Sequence, residues 1–271
     1  MHRSNRYFVK TLHNIALGIG SCVIFTAPAF AQTASNNMPA APLPITIEAN
    51  DSLEWNQTDG TYIALGDAYV EQGQANINAN HIIANYATEG KTRDITRVTA
   101  TGSVTYIEGE NTAKGDKLDY DLNSKVYVLT GKNASVTGPK GTMTATKSIT
   151  YDTTNNDSRK VTAIGKAHYK NSDGRNVFGD KLIAYIDADG TLKTIDAYNN
   201  TKVITAQGTV ATADKLNYIG STSMANLDGN VEITDKENIM RGARAEIDFD
   251  NEISKIISGP SGKRVTGVLT P

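Results

Sequence analysis

Aromatic residues recur along this chain at nearly constant intervals. Seven of them follow one another at spacings of 31 to 34 residues: Trp55, Tyr86, Tyr120, Tyr151, Tyr185, Tyr218 and Phe249. A period of this length indicates a small supersecondary unit that cannot bury its own apolar face and therefore stacks on copies of itself. The repeat predicts one domain, residues 45–271, built from about seven units.

Each unit contains two segments in which apolar and polar residues alternate. In the first segment an aliphatic residue lies two positions before the aromatic, as in Leu118-Asp119-Tyr120. Residues two apart on a strand share a face, so both side chains point into one interior. In the second segment a glycine such as Gly229 opens another alternating run, and Asn199 takes that place in one unit. The pattern predicts an all-β fold of about 14 to 16 antiparallel strands, with these positions at bulges or turns.

The first 31 residues are typical of a secretory signal peptide. A basic start precedes a mainly apolar stretch from Ile15 to Phe30, and Ala29-Phe30-Ala31 matches a small-x-small cleavage site. Cleavage after Ala31 would remove the one cysteine, Cys22, and three basic side chains but no acidic one, so the formal charge would change from −2 to −5. Residues 32–44 are small, polar and proline-rich, and we expect a flexible leader there.

Several classes of function are disfavoured by the composition. An acidic exported chain without a run of Lys or Arg is a poor partner for nucleic acid. Only His81 and His168 remain after cleavage, and no Gly-x-Ser-x-Gly motif is present. The segment 187–190, Asp-Ala-Asp-Gly, lacks the later ligands of a calcium loop and predicts a tight turn. We therefore expect no catalytic residue, no metal site and no cofactor, with the histidines at the surface or in turns.

Three units share the form Gly/Ala-Asp-Lys-Leu followed by a tyrosine. They span Gly115–Tyr120, Gly179–Tyr185 and Ala213–Tyr218, and Ile47-Glu48-Ala49-Asn50-Asp51 opens the repeated region. Because neighbours on a strand point to opposite faces, the Asp-Lys pairs are expected to be solvated edges and not acid–base pairs. The chain resembles the OstA-like (LptA) family of periplasmic lipopolysaccharide-transport bridge proteins. The resemblance rests on these units, on the partner strands that a glycine opens, and on the predicted signal peptide. The resemblance runs from about residue 45 to the C-terminus.

The resemblance implies an open, twisted β-jellyroll in the periplasm that holds the acyl chains of lipopolysaccharide in an apolar interior. It further implies head-to-tail association through edge strands, with inner-membrane-anchored and outer-membrane OstA-like components and with copies of the chain itself. We expect the lipid-binding lining to comprise Leu53, Trp55, Ile63, Leu65, Ile83, Tyr86, Val104, Tyr106, Leu118, Tyr120, Ile149, Tyr151, Ile183, Tyr185, Leu216, Tyr218, Ile247 and Phe249.

Three alternatives remain open from the sequence. An inner-membrane-anchored member of the same pathway would retain its N-terminal segment. A parallel β-helix, as in polysaccharide-active enzymes or adhesins, would also show a repeat, although usually a shorter one. A passive scaffold would assemble through its edges without holding lipid. In each of the jellyroll cases, the segment from Gly259 to Leu269 is expected to be a last edge strand, protected by Pro260 and a basic pair or used for docking.

Overall fold

Strands make up almost all of the ordered architecture. The computed structural model describes residues 44–88, 94–259 and 264–270. The predicted signal peptide, nearly all of the predicted leader, and Pro260 and Lys263 in the C-terminal segment lie outside these ranges. Besides one turn of 3-10 helix, Gly220–Thr222, the elements are β1 (Thr46–Glu48), β2 (Ser52–Asn56), β3 (Thr61–Gln72), β4 (Ala75–Tyr86), β5 (Ile95–Glu108), β6 (Asn111–Asp121), β7 (Val126–Thr130), β8 (Ala134–Gly138), β9 (Gly141–Ala145), β10 (Ser148–Asp152), β11 (Ser158–Asn171), β12 (Asn176–Asp187), β13 (Leu192–Ile204), β14 (Val210–Ile219), β15 (Met224–Asp235), β16 (Asn238–Asp248), β17 (Ile253–Ile257) and β18 (Thr266–Val268).

The chain runs as an antiparallel meander. Within the described ranges every strand pair is antiparallel. This arrangement confirms the all-β prediction with antiparallel pairing. The parallel β-helix alternative is wrong, because such a coil would pair its strands in parallel.

The long strands are bent near the middle, and the bends divide the meander into two sheets. Strand β3, for example, pairs with β4 over Thr61–Leu65 and again over Ala68–Gln72, with a register shift between the two stretches. The first sheet comprises 52–56, 61–65, 81–86, 95–101, 117–121, 126–130, 148–152, 158–164, 181–187, 192–198, 215–219, 224–228, 244–248 and 253–257. The second comprises 46–48, 68–72, 75–78, 104–108, 111–115, 134–138, 141–145, 167–171, 176–179, 201–204, 210–213, 231–235, 238–242 and 266–268.

The described residues form more strands than the expected 14 to 16, because four strands are broken where the others are only bent. The pairs β1/β2, β7/β8 and β9/β10 each pass from one sheet to the other through a short interruption, and β17 and β18 likewise belong to different sheets. Gly131-Lys132-Asn133, for example, separates β7 from β8. The 18 strands thus correspond to about 14 chain passes, each of which contributes to both sheets.

The line of bends, here called the spine, needs backbone conformations that glycine adopts most readily. At Gly229-Asn230 both residues have positive φ, +81° and +49°. A Cβ atom at Gly229 would also lie 2.9 Å from the Cβ of Asp214, so that a larger residue would both strain and clash there. Asn199, expected from the sequence to replace glycine in one unit, has a φ of +57°. The predicted bulges are therefore confirmed.

The aspartates of the Asp-Lys units brace the spine. Asp214 accepts a hydrogen bond of 2.8 Å from Nδ2 of Asn230, and Asp180 accepts one of 2.9 Å from Nδ2 of Asn200. Each donor belongs to the bend of the neighbouring strand. These carboxylates are exposed, as expected, but they have a structural partner in the next repeat.

The space between the two sheets is apolar. In β15 the inward positions Ala225, Leu227, Val231 and Ile233 are all at most 2% exposed. Equivalent side chains from β3 through β16 join them in one hydrophobic cluster. Burial of such side chains contributes roughly 1.5–3 kcal/mol each before entropy is counted, so this interior holds the two sheets together without disulfides.

The two ends of the meander expose strand edges. Among the described residues, β1 and β2 pair only with β3 at one end, and β17 and β18 pair only with β16 at the other. Leu53 and Leu269, near the opposite ends, are 57% and 75% exposed. Strand β18 confirms a short edge strand in the C-terminal segment, at the edge of the second sheet.

Candidate functional site: the interior between the two sheets

A cavity of about 180 Å3 lies between the two sheets near the middle of the chain. Leu118, Leu129 and Ile149 line it from the first sheet, and Val136 and Met143 line it from the second. These side chains are apolar and inward-facing because they alternate with outward polar residues along their strands. A hydrocarbon chain would therefore find a chemically matched environment here.

Tyrosines lie at the strand ends farthest from the spine, where Tyr127 and Tyr151 line the cavity and Tyr120 stacks behind Tyr127. The rings of Tyr120 and Tyr127 stack with centroids 3.8 Å apart, and Tyr151 lies 5.8 Å from Tyr127. All three side chains point inward from the first sheet. In the strand register Tyr127 lies opposite both Tyr120 and Tyr151. The aromatic repeat thus becomes a stack of rings that crosses neighbouring strands.

A second group of aromatic rings lies close to the N-terminal edge. Tyr62 is 5.8 Å from Trp55 and 5.2 Å from Tyr86, measured between ring centroids. The indole Nε1 of Trp55 donates a 3.0 Å hydrogen bond to the hydroxyl of Tyr86. A smaller cavity of about 40 Å3 lies beside this group, with Ile47 and Leu53 in its wall. The apolar interior therefore extends to the end of the meander.

A group of polar side chains points into the interior near the cavity. The hydroxyl of Tyr106 donates a 2.9 Å hydrogen bond to Oε2 of Glu108 on β5. Arg159 on β11 lies opposite Ile186, a cavity-lining residue, and so points inward from the other sheet. We call this group the polar cluster; its members are Tyr106, Glu108, Tyr120, Tyr127, Tyr151 and Arg159.

Burial shifts the ionisation of the polar cluster. It raises the pKa of Glu108 from 4.5 to about 7, although the hydrogen bond from Tyr106 and the charge of Arg159 both act in the opposite direction. Burial also raises the pKa of Tyr127 and Tyr151, and Arg159 partly offsets the rise at Tyr151. The tyrosines are thus neutral hydrogen-bonding groups, and Glu108 is the group that changes charge near neutral pH.

Thirteen of the 18 residues expected to line the interior do face it. They are Leu53, Trp55, Tyr86, Val104, Tyr106, Leu118, Tyr120, Ile149, Tyr151, Leu216, Tyr218, Ile247 and Phe249. Leu53 and Trp55 are inward-facing yet exposed, because they belong to the edge strand β2. Contact between these side chains and lipid stays a prediction.

The other five expected lining residues, Ile63, Leu65, Ile83, Ile183 and Tyr185, face outward. Directly opposed residues share a face, and buried Ala64 and Ile82 oppose one another, so their neighbours Ile63 and Ile83 point away from the interior. In β12, Leu182 and Ala184 are buried while Tyr185 is 36% exposed. In β12 the error came from counting back from Tyr185. Counting forward from the Gly-Asp-Lys of the spine gives the correct face, because that unit has one residue more before its tyrosine.

Several interior residues were not expected from the sequence. Tyr62, Tyr127 and Tyr169 face inward but fall outside the 31-to-34-residue series. Strand parity relative to the spine would have found them. Glu108 and Arg159 have the same inward parity, but a charged residue in an alternating segment normally indicates a solvated face, so their charge argued against the interior.

His168 and the segment 187–190, considered above as candidate sites, contact neighbouring residues of the protein. His168 contacts Oδ1 of Asn176 at 2.9 Å and stacks on Phe178 with ring centroids 4.2 Å apart. Both histidines lie in strands, β4 and β11, and not in turns. The segment 187–190 forms the expected tight turn, closed by a 3.0 Å hydrogen bond from the amide of Gly190 to the carbonyl of Asp187.

Among the residues that the structure describes, no group of three or more His, Cys, Asp and Glu side chains is placed to hold a metal ion. In the same ranges no helix has the length and apolar character needed to cross a membrane.

Comparison with known proteins gives a family but no near relative. Residues 46–157 and 154–253 each match the family described as "LptA/(LptD N-terminal domain) LPS transport protein". No curated protein matches the chain. Among solved structures, LptH, described as the LptA homologous periplasmic component of the conserved lipopolysaccharide transport device from Pseudomonas aeruginosa, is similar over 84% of this chain and 96% of its own. Its identity is 14% and its TM-score is 0.23.

The family match extends over the strands and the cavity described above. It covers well over half of the chain, in two consecutive copies that meet between β10 and β11. The cavity lies across this junction, with Leu129 in the first copy and Ile195 in the second. The chain therefore belongs to the LptA/(LptD N-terminal domain) family of lipopolysaccharide-transport proteins.

Proposed function

We propose that this protein is a periplasmic carrier that shields the acyl chains of lipopolysaccharide between its two sheets and bridges inner- and outer-membrane transport components. The observation that carries the proposal is the continuous apolar interior, with a cavity at its centre. Each methylene moved from water into such an interior gains roughly 0.8 kcal/mol. The expectation that the chain is not an enzyme is part of the same proposal, and a family of transport proteins supports it.

The cavity is small for a complete acyl chain. Its volume of about 180 Å3 is below the roughly 300–1,000 Å3 usual for ligand sites. Binding would therefore require the sheets to part or interior rings to move. The Tyr120–Tyr127 stack at the cavity wall is the group we expect to be displaced.

The exposed edges supply the second half of the proposal. Unpaired backbone groups on an edge strand can pair with a strand of another protein. Both ends of the meander present such strands, and neighbouring strands spaced about 4.8 Å apart place the ends of the meander on the order of 60 Å from one another along the ladder. Head-to-tail joining of copies or related modules would extend the interior into a longer path.

Photocrosslinking in cells tests the carrier proposal. A photoreactive amino acid at Tyr120, Tyr127 or Tyr151 should capture lipopolysaccharide, because these side chains line the interior. Matched positions on the outer face are Asp119, Thr150 and Tyr185, which should capture little. Equal capture, or no capture, at inner and outer positions would sink the carrier proposal and favour a passive scaffold.

Two simpler measurements test the location and the edges. N-terminal sequencing of the exported protein should begin at Gln32, whereas retention of Met1 would favour the inner-membrane-anchored alternative.

Leu53→Lys on the edge strand should weaken self-association in sedimentation experiments. Leu65→Lys, an exposed outward residue on the adjacent strand β3, is its control, and equal effects of both changes would contradict edge pairing.

A further inference from the structure

The polar cluster contains hydrogen-bonding groups that the protein itself leaves incomplete. Within the described part of the chain, the buried Nη1 nitrogen of Arg159 has no hydrogen-bond partner. A buried donor without a partner loses the full free energy of its desolvation, so such atoms in native proteins call for an explanation. Arg159 projects toward the interior from the first sheet at the end of the cavity.

Glu108 faces the same space from the second sheet. Its strand β5 places Val104, Tyr106 and Glu108 on one face, and Val104 is 1% exposed. The carboxyl interacts electrostatically with Arg159, yet among the described residues no ion pair joins the two side chains. The donor on one sheet and the acceptor on the other are therefore not in contact, and their neighbours Tyr106 and Ile186 line the apolar cavity.

From this juxtaposition we infer that Arg159 and Glu108 form a subsite for a neutral polar group, a hydroxyl or an amide, attached to a hydrocarbon chain that occupies the cavity. The inference rests on the proposed function, because it concerns the same interior. The group must accept a hydrogen bond from the guanidinium and donate one to the carboxylate. A hydroxyl or an amide does both, whereas an ester can only accept.

The same pair discriminates against anions. A carboxylate or phosphate could accept from Arg159, but it has no proton for Glu108 and would be repelled by that carboxylate when it is ionised. The other titratable groups facing Glu108 are Tyr106, Tyr120, Tyr127 and Tyr151, on β5, β6, β7 and β10. These phenols are neutral, so the net charge of the polar cluster is set by Glu108 and Arg159. The preference should be strongest above pH 7, where Glu108 is ionised.

Displacement of the neutral apolar dye N-phenyl-1-naphthylamine from the purified full-length protein at pH 8.5 tests the subsite. Three ten-carbon competitors share one chain: decanamide donates and accepts, methyl decanoate accepts only, and decanoate is an anion. We expect decanamide to compete about tenfold better than methyl decanoate, the effect of about one net hydrogen bond to a charged group. Decanoate should be the weakest of the three.

Two variants locate the effect. Arg159→Met and Glu108→Gln should each reduce the amide-to-ester ratio toward one, and Glu108→Gln should also strengthen binding of decanoate. Arg97→Met and Glu71→Gln are matched controls, since both residues are exposed on the outer faces, where Arg97 pairs with Asp119 and Glu71 accepts a hydrogen bond from Tyr69. The wild-type comparison needs no variant, so it stands even if one variant fails to fold.

The outcomes are distinct. A tenfold amide preference that is lost in the two interior variants supports the subsite. Equal competition by amide and ester in the wild type overturns it while leaving the proposed function intact, and so does a preference unchanged in both variants. Failure of every competitor to displace the dye would contradict the proposed function itself, and the subsite with it.

Discussion

Replacing Glu108 with glutamine should stabilise this protein above pH 7 and leave its stability nearly unchanged at pH 4. Burial raises the pKa of this carboxyl from 4.5 to about 7, so the folded state holds the proton more tightly than the unfolded state does. As the pH rises through 4.5 the unfolded state loses its proton first, and stability falls until the folded state also loses its proton near pH 7. Above that pH the wild type carries the full cost of a buried charge.

The magnitude follows from the size of the shift. A difference of about 2.5 pKa units corresponds to roughly 3.4 kcal/mol at about 1.36 kcal/mol per unit. The carboxyl keeps substantial contact with solvent, so we discount this to about 1.5 kcal/mol. Glutamine has the same shape, can still accept from Tyr106, and avoids the charge. For a chain of this size the gain is about 3–6 °C in Tm at pH 8.

Thermal unfolding followed by circular dichroism at pH 4 and pH 8 measures this difference. Other titrating groups are common to both proteins and cancel in the comparison. Glu71→Gln is the control, because Glu71 makes the same contact with a tyrosine two residues earlier, but on the exposed outer face. It should change Tm by less than the interior variant at both pH values. A Glu108→Gln effect that is equal at pH 4 and pH 8, or destabilisation at pH 8, would refute the reasoning.

Two other predictions test the strand parity and the spine. Leu182→Ala, at a fully buried site, should lower the free energy of unfolding in urea by about 2–5 kcal/mol, whereas Ile183→Ala on the outer face should cost about 1 kcal/mol or less; comparable losses would mean that the two faces of β12 are assigned wrongly. Gly229→Ala and Gly174→Ala both place a side chain at positive φ, +81° and +88°, but an added Cβ has a close neighbour only at Gly229. Gly174→Ala should therefore cost about 1 kcal/mol and Gly229→Ala roughly 1–2 kcal/mol more, and equal costs would remove steric contact as the reason for glycine in the spine.

The repeat in the sequence predicted the strands well because spacing and alternation are local properties. Positive φ at the spine favours glycine there, and the two-residue period of a strand places the aliphatic residue and the aromatic on one face. The inner and outer faces were harder to assign. Leu182 keeps its fixed distance from Gly179, while Tyr185 lies one residue further on than its counterparts. A one-residue slip exchanges the two faces of a strand, so the aromatic was a poorer reference than the spine.

The polar cluster could not be predicted from the sequence. Glu108 and Arg159 are 51 residues apart and belong to different sheets. Their proximity depends on how far the bent strands of the two sheets approach one another, which no local pattern encodes. Alternation places Glu108 on the same face as Val104 and Tyr106, but the charges of Glu108 and Arg159 favour solvent. In the structure both side chains point inward, next to rings that the repeat had identified.

The internal junction between the two family copies supports the proposed end-to-end assembly. Where the copies meet, a broken strand contributes β10 to the first sheet and β9 to the second, and both pair with the single bent strand β11. The register there contains five and four residue pairs, and the cavity continues across the junction. The ends of the described meander have the same form, because β2 with β1, and β17 with β18, also offer one short strand from each sheet. An end that docks onto a bent strand of a partner could therefore reproduce the junction that the chain already makes within itself, with both sheets and the apolar interior continued.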